Sequence, residues 1–310
     1  MTEPPTGSFE DILTPVERPN FVYKYASADR VAGILRDLTF YFGAAAPQND
    51  LFEFRVQSLL AQSSGTAHRV FANYLLATGE ARDVDDALNT ARTGDQEIVQ
   101  AISDDLIEKL NEQLSLVREH SGVTCFSSRR NDQRMWAAYG DNHAGAAIEF
   151  TTSLDRSRFA SHLSRVLYVN KKLPICPSMM FMQGSLDPRL ASMLLCVKHT
   201  DWRDEEEWRL LLLADSPQSH ADRIVTFERT AITRVFLGPR IAPDEEEAIR
   251  SAAARHEPPI PVFKRRIHPE LAYEDVVGFE IIQSPEQLAY WMSLSRNDHP
   301  NSPLNLEPDR

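Results

Sequence analysis

The stretch DWRDEEEWRLLLL (Asp201–Leu213) sets four consecutive carboxylates, the last three of them glutamates, between two tryptophans at the mouth of an apolar run. The run WRLLLL is apolar at successive rather than alternate positions, the pattern of a strand covered on both faces. A strand of that kind needs layers above and below it. A chain of 310 residues, 42% of them hydrophobic, has the material to supply those layers in one large domain.

The rest of the chain says what those layers are. Alternation from Phe21 to Tyr25 predicts a first strand, and Ser27 stands as an N-cap before Val31, Ile34, Leu35 and Leu38 at helical spacing. A second strand is expected over Leu38–Phe42, ending at Gly43, and APQNDLFEF reads as a turn. Between Leu51 and Glu119 the pattern turns helical. Ile98, Ile102, Leu106, Leu110 and Leu114 mark a stripe, and the insert is expected to be a structural cap. GVTCFSS (122–128), GAAIEF (145–150), RVLYV (165–169), RIVTF (223–227), ITRVFLG (232–238) and PVFK (261–264) read as strands. NDQRMWAAYG, DPRLASMLLCVKH and APDEEEAIRSAAARH read as helices, the last with acids in its first turn. Strands joined by short links predict an α+β fold with a mainly antiparallel sheet, in one domain over residues 20–285. Polar, proline-rich arms flank it at 1–19 and 286–310.

Several chemistries are excluded or left without support. The formal net charge of −12 argues against coating nucleic acid or membrane through a general basic field. Cys125, Cys176 and Cys196 are too few and too scattered for a disulfide framework, and no Cys-x-x-Cys pair stands among them. A reducing cytoplasm fits that usage, and no secretory leader or run of transmembrane length is legible. No glycine-rich phosphate loop, His-Glu-x-x-His or Gly-x-Ser-x-Gly occurs. His143 and Glu149 have no second histidine at metal-ligand spacing, so no metal site is assigned.

Polar residues at strand ends beside aromatics remain. In an extended chain Glu205 and Glu207 point to one face and Glu206 to the other. Their repulsion, with desolvation by Trp202 or Trp208, would raise one carboxyl's pKa. The plainer alternative is a solvated acidic turn pairing with Arg203 and Arg209. Trp136 and Tyr139, three apart, share a helix face, and His143 follows in a loop closed by Gly145. Arg129, Arg130 and Arg134 form a compact basic group that suits phosphate or lies in a solvated turn.

VYKY, QNDLFEF, TCFSSRRNDQRMWAAYGDNHAGAAIEF and KHTDWRDEEEWRL, in that order, resemble the bacterial domain-of-unknown-function family 2971 across Phe21–Lys264. The one departure is Leu51, where the family commonly has proline. The order of a polar residue on the first strand, an aromatic-Ser on the second and Glu-x-Glu on a later one is also similar to the ADP-ribosyltransferases, which bind NAD on a split antiparallel sheet. That resemblance implies an ADP-ribosyltransferase-like fold and a toxin or phage-defence enzyme that modifies a macromolecule or depletes NAD. It makes Glu207 the acid stabilising the oxocarbenium and Glu205 the one that positions or deprotonates the acceptor. It puts Tyr23, Lys24, Tyr25, Ser127, Trp136, Tyr139, His143 and Arg209 at the cofactor. Lys24 departs from the usual Arg or His and lacks a bidentate fork. Two other classes stay open: a nucleotide or nucleic-acid binding module, and a nuclease or hydrolase with Glu149, Glu205 and Glu207 around magnesium or manganese.

Overall fold

The computed structural model describes residues 17–45, 64–170, 191–193, 195–266 and 274–277. Most of both terminal arms, the APQNDLFEF turn and the start of the helical insert lie outside the described residues. The chain divides into two compact units. One holds Tyr41–Cys125 and His162–Val225, and the other Arg18–Phe40, Phe126–Ser161 and the chain from Thr226 onward. We call them the carboxylate unit and the aromatic unit. The fold is α+β and its strand pairing mainly antiparallel, as expected.

In the aromatic unit, strand β1 (Phe21–Ala26) pairs antiparallel along its whole length with β5 (Ala146–Thr151), placing Tyr23 opposite Glu149 and Lys24 opposite Ile148. On its other edge β1 meets the end of β4 (Gly122–Ser127), through Tyr23 and Ser127. Beyond β5 come β11 (Ile232–Leu237), β12 (Val262–Arg266) and β13 (Glu274–Val277). The β11–β12 pair is parallel, because helix α6 (Pro243–Ala254) carries the chain back over the sheet. Proline at the start of α6 and Asp244, Glu245 and Glu246 in its first turn suit its N-terminus.

Helix α1 (Ala28–Asp37) starts after Ser27, which makes no side-chain cap bond, and stops where Leu38 turns left-handed at φ 50°. The expected strand over Leu38–Phe42 is therefore shorter, β2 at Thr39–Tyr41, with β3 (Gly43–Ala44) separate, and RIVTF forms the short strand β10 (Ile224–Thr226). One face of the unit is filled by the rings of Phe40, Phe126, Phe150, Phe159 and Phe227, with Phe40 stacked on Phe227 at 4.2 Å.

In the carboxylate unit, helices α2 (Ser64–Thr78), α3 (Val84–Thr93) and α4 (Gln96–His120) pack around Phe71, Leu75, Ala87, Ala91 and Val99. Asp83 and Asp95 cap α3 and α4 with their carboxylates. The stripe expected on α4 holds in part: Leu106 is buried and Ile102 packs against the helical core, but Ile98 is 56% exposed, and Val99, Ser103 and Ile107 complete the buried face instead. Steps of four residues advance the face by about 40° each, so a five-member series at that spacing winds off any one neighbour.

Two more expectations change. RVLYV is broken at Val166 into β6 (Ser164–Arg165) and β7 (Leu167–Val169). The chain exchanges partners there, Val166 N–H donating to Glu207 O and Leu167 N–H to Cys196 O. The helix expected through DPRLASMLLCVKH ends early, because Val197–His199 is strand β8, running parallel to β7.

Candidate functional site: a buried carboxylate cluster

Strand β9 (Glu207–Leu212) pairs antiparallel with β6. Its buried portion, Glu207–Leu210, includes two charged side chains. Positions two apart on a strand share a face, and Glu207 and Arg209 use it to form a bidentate pair. Arg209 Nε lies 2.7 Å from one carboxylate oxygen and a terminal nitrogen 2.9 Å from the other. The remaining arm of Arg209, itself 1% exposed, donates to Leu195 O at 2.6 Å.

Glu205 reaches the same place by another route. Thr200–Glu205 is a 3-10 turn capped by His199, and Glu206 exits it left-handed at φ 44° and ψ 52°. The extended Glu205–Glu207 segment is thus corrected, since the turn and the left-handed residue replace simple alternation. The two acids still share a partner. Lys198 Nζ lies 2.6 Å from Glu205 and 3.1 Å from Glu207, and sits 4.9 Å over the Trp202 ring. Register positions Lys198 beside Tyr168 on the β7–β8 pair, and the Tyr168 hydroxyl accepts the Glu207 N–H at 2.9 Å.

The expectation of a raised carboxyl pKa is reversed at Glu207. Burial pushes it up, but the guanidinium of Arg209, then Lys198 and a hydrogen bond from Cys125, outweigh that and hold it at about 2. Burial also keeps the Tyr168 phenol protonated well above its ordinary range, so its oxygen is available as acceptor. The cluster sets two acids against two basic side chains: Glu207, Arg209 and Lys198 are buried in a fixed charge array, while the turn that carries Glu205 holds no buried residue and exposes Asp201, Arg203 and Asp204.

Of the residues singled out in the sequence, Glu205, Glu207 and Arg209 come together here. Tyr23, Lys24, Tyr25, Ser127, Trp136, Tyr139 and His143 belong to the aromatic unit. Tyr23 donates to buried Glu149 at 2.9 Å, and that carboxylate also accepts from Thr233 and from Arg234 at 2.7 Å. Lys24 sits 5.2 Å over the Phe126 ring. Tyr25 donates to the carbonyls of Arg129 and Arg130 and meets Trp136 edge-on at 5.2 Å. Ser127 Oγ accepts the Arg129 N–H. Trp136 is fully buried, its Nε1 donating to Arg130 O. Tyr139 is half-buried at the end of helix α5 (Gln133–Ala138). His143 lies on a left-handed turn, its N–H donating to Trp136 O.

Sequence reasoning missed Lys198, Tyr168 and Cys125. Lys198 is the third residue before the opening tryptophan motif's first acid, and its signal is a lysine directly after the apolar run MLLCV, inside the segment expected to be helical. Among the described residues, no group of three His, Cys, Asp or Glu side chains is placed to hold a metal ion.

A family model described as "Protein of unknown function (DUF2971)" matches residues 135–210. The matched span opens in α5 at Met135 and closes on β9, and so contains Trp136, Tyr139, His143, Lys198, Glu205, Glu207 and Arg209. The match agrees with the family resemblance over that span. No curated protein and no solved structure matches the chain. Among the described residues, no helix is long and apolar enough to cross a membrane.

Proposed function

We propose that the chain breaks the nicotinamide–ribose bond of NAD, as an ADP-ribosyltransferase-like enzyme or NAD glycohydrolase. The observation that carries this reading is a carboxylate, Glu207, 4% exposed and held ionised beside a second acid. Departure of nicotinamide leaves a cationic sugar, and a fixed negative charge in a water-poor setting stabilises that charge more than water does. Glu205 is the more accessible of the two, its side chain 12% exposed against 6% for Glu207. It is the group to meet the acceptor or water, while Glu207 supplies the field. Lys198 occupies both acids in the resting protein, so a cationic sugar competes with the ammonium for them.

One observation favours a second reading. Both oxygens of Glu207 are bonded to Arg209, as in an ion pair that anchors a fold. On that reading the protein is a binding module with affinity and no turnover.

Nicotinamide release from NAD by the purified protein decides between them, with Glu207→Gln, Glu205→Gln and an EDTA arm run in parallel. The expected result is release that survives EDTA and falls about a hundredfold or more in Glu207→Gln, the size of effect seen when one preorganised electrostatic group is removed. Calorimetric NAD binding without release would favour the binding module. Neither binding nor release would overturn the NAD assignment.

A further inference from the structure

Glu205 and Glu207 reach the same ammonium from different footings. Glu207 is fixed by its strand: its main-chain N–H donates to the Tyr168 hydroxyl, and both carboxylate oxygens are bonded to buried Arg209. Glu205 comes from the 3-10 turn Thr200–Glu205, which buries none of its residues, and left-handed Glu206 separates it from β9. Ladder pairing therefore does not set its position. The turn's leading end is tied by local bonds, the Asp201 N–H donating to His199 Nδ1 at 3.3 Å and the Thr200 hydroxyl to Asn170. Its trailing end, where Glu205 stands, meets Lys198.

Lys198 is placed to hold that end. It lies on β8, 5% exposed, and its ammonium is nearer to Glu205 than to Glu207, at 2.6 Å against 3.1 Å. The same ammonium sits 4.9 Å over the ring of Trp202, another residue of the turn. One buried cation thus grips the turn at two of its residues, through a charge-assisted hydrogen bond and a cation–π contact. Glu207 already has Arg209 across both oxygens, so the particular service of the ammonium is to Glu205. It brings a second carboxylate up to the first, where like charges alone would part.

We propose that Lys198 is the positioning residue of the site: it clamps the Thr200–Glu205 turn to the buried strands and so sets where the Glu205 carboxylate stands relative to Glu207. This rests on the NAD reading for what Glu205 does, and not for how Glu205 is held. As the acid that meets the acceptor or water, Glu205 governs the chemical step through its place, and a shift of about an ångström costs on the order of a hundredfold in rate. Loss of Lys198 therefore falls on kcat and not on KM. A lysine that only competed with the cationic sugar would act the other way, its removal speeding release.

The test measures amide hydrogen exchange and nicotinamide release together on wild type, Lys198→Met and Glu205→Ala. The Glu206 N–H closes the turn on Arg203 O at 3.2 Å. It is expected to exchange about tenfold faster in both variants, the change in local opening that loss of one charge-assisted hydrogen bond brings. Amides of α4, in the same unit, are expected to exchange as in wild type. Lys198→Met is expected to lower kcat for release about a hundredfold with KM for NAD unchanged. Should Lys198→Met fail to fold, Glu205→Ala, at a side chain 12% exposed, decides by exchange alone. Unchanged exchange at Glu206, or equal acceleration at Glu206 and in α4, would overturn the proposal whatever the activity, as would release by Lys198→Met at or above the wild-type rate. No release from wild type, with Glu206 alone accelerated in the variants, would count against the enzymatic reading and support the placement of Glu205 by Lys198.

Discussion

Glu207 has a protonation behaviour that its own sequence neighbourhood does not predict. Its folded value of about 2 lies below the ordinary 4.5, so its contribution to stability is present above about pH 4.5 and is lost as pH falls from there towards 2. Glu207→Gln removes that dependence and takes the negative charge from buried Arg209, leaving Glu205 as the carboxylate on Lys198, a cost on the order of 3 kcal/mol near neutral pH. Urea denaturation at about pH 7 and about pH 3 checks this: the gap between wild type and Glu207→Gln is expected to shrink by about 2 kcal/mol at the lower pH. A gap of constant size would mean the carboxylate is not held ionised by its partners. Of this arrangement, pairing of the acids with Arg209 was legible only as the plainer alternative of a solvated turn. The bridging Lys198 was not, because whether a lysine nine positions away reaches a carboxylate depends on which strands pair.

Elements were read well where periodicity was simple. β1, β5, β11 and α6 lie where alternation, apolar runs and first-turn acids put them. Reading failed at partner changes, as at Val166, and at Val197–His199, where a short strand is formed by the neighbour it finds and not by its own pattern. The α4 stripe missed at its first member in a measurable way. Ile98→Asp is expected to leave stability within about 0.5 kcal/mol of wild type, whereas Val99→Asp, buried against α2 and α3, is expected to lower it by several kcal/mol or prevent folding. Thermal denaturation of the two variants distinguishes the faces. Equal loss in both would return the stripe to Ile98.

For the molecule as a whole, the acid excess dominates. A formal charge of −12 and an isoelectric point near 5.3 predict a solubility minimum around that pH. Turbidity measured between about pH 4 and 8 is expected to peak there and to fall on adding salt. A peak a full unit higher would mean that many carboxylates are protonated in the folded chain at neutral pH. The same excess makes the Arg129, Arg130 and Arg134 group in the aromatic unit a local feature, one the total charge conceals.

The sequence alone determined what depends on near neighbours: the strand and helix periods, the acids in the first turn of α6, and the absence of nucleotide-loop and metal motifs. The tertiary structure decided what depends on distance through space. It selected Lys198 and Tyr168 as partners of Glu207, turned an expected upward pKa shift downward, and set the Arg240 N–H on His143 O. Charges act over a few ångströms in any direction, and sequence separation does not measure that distance.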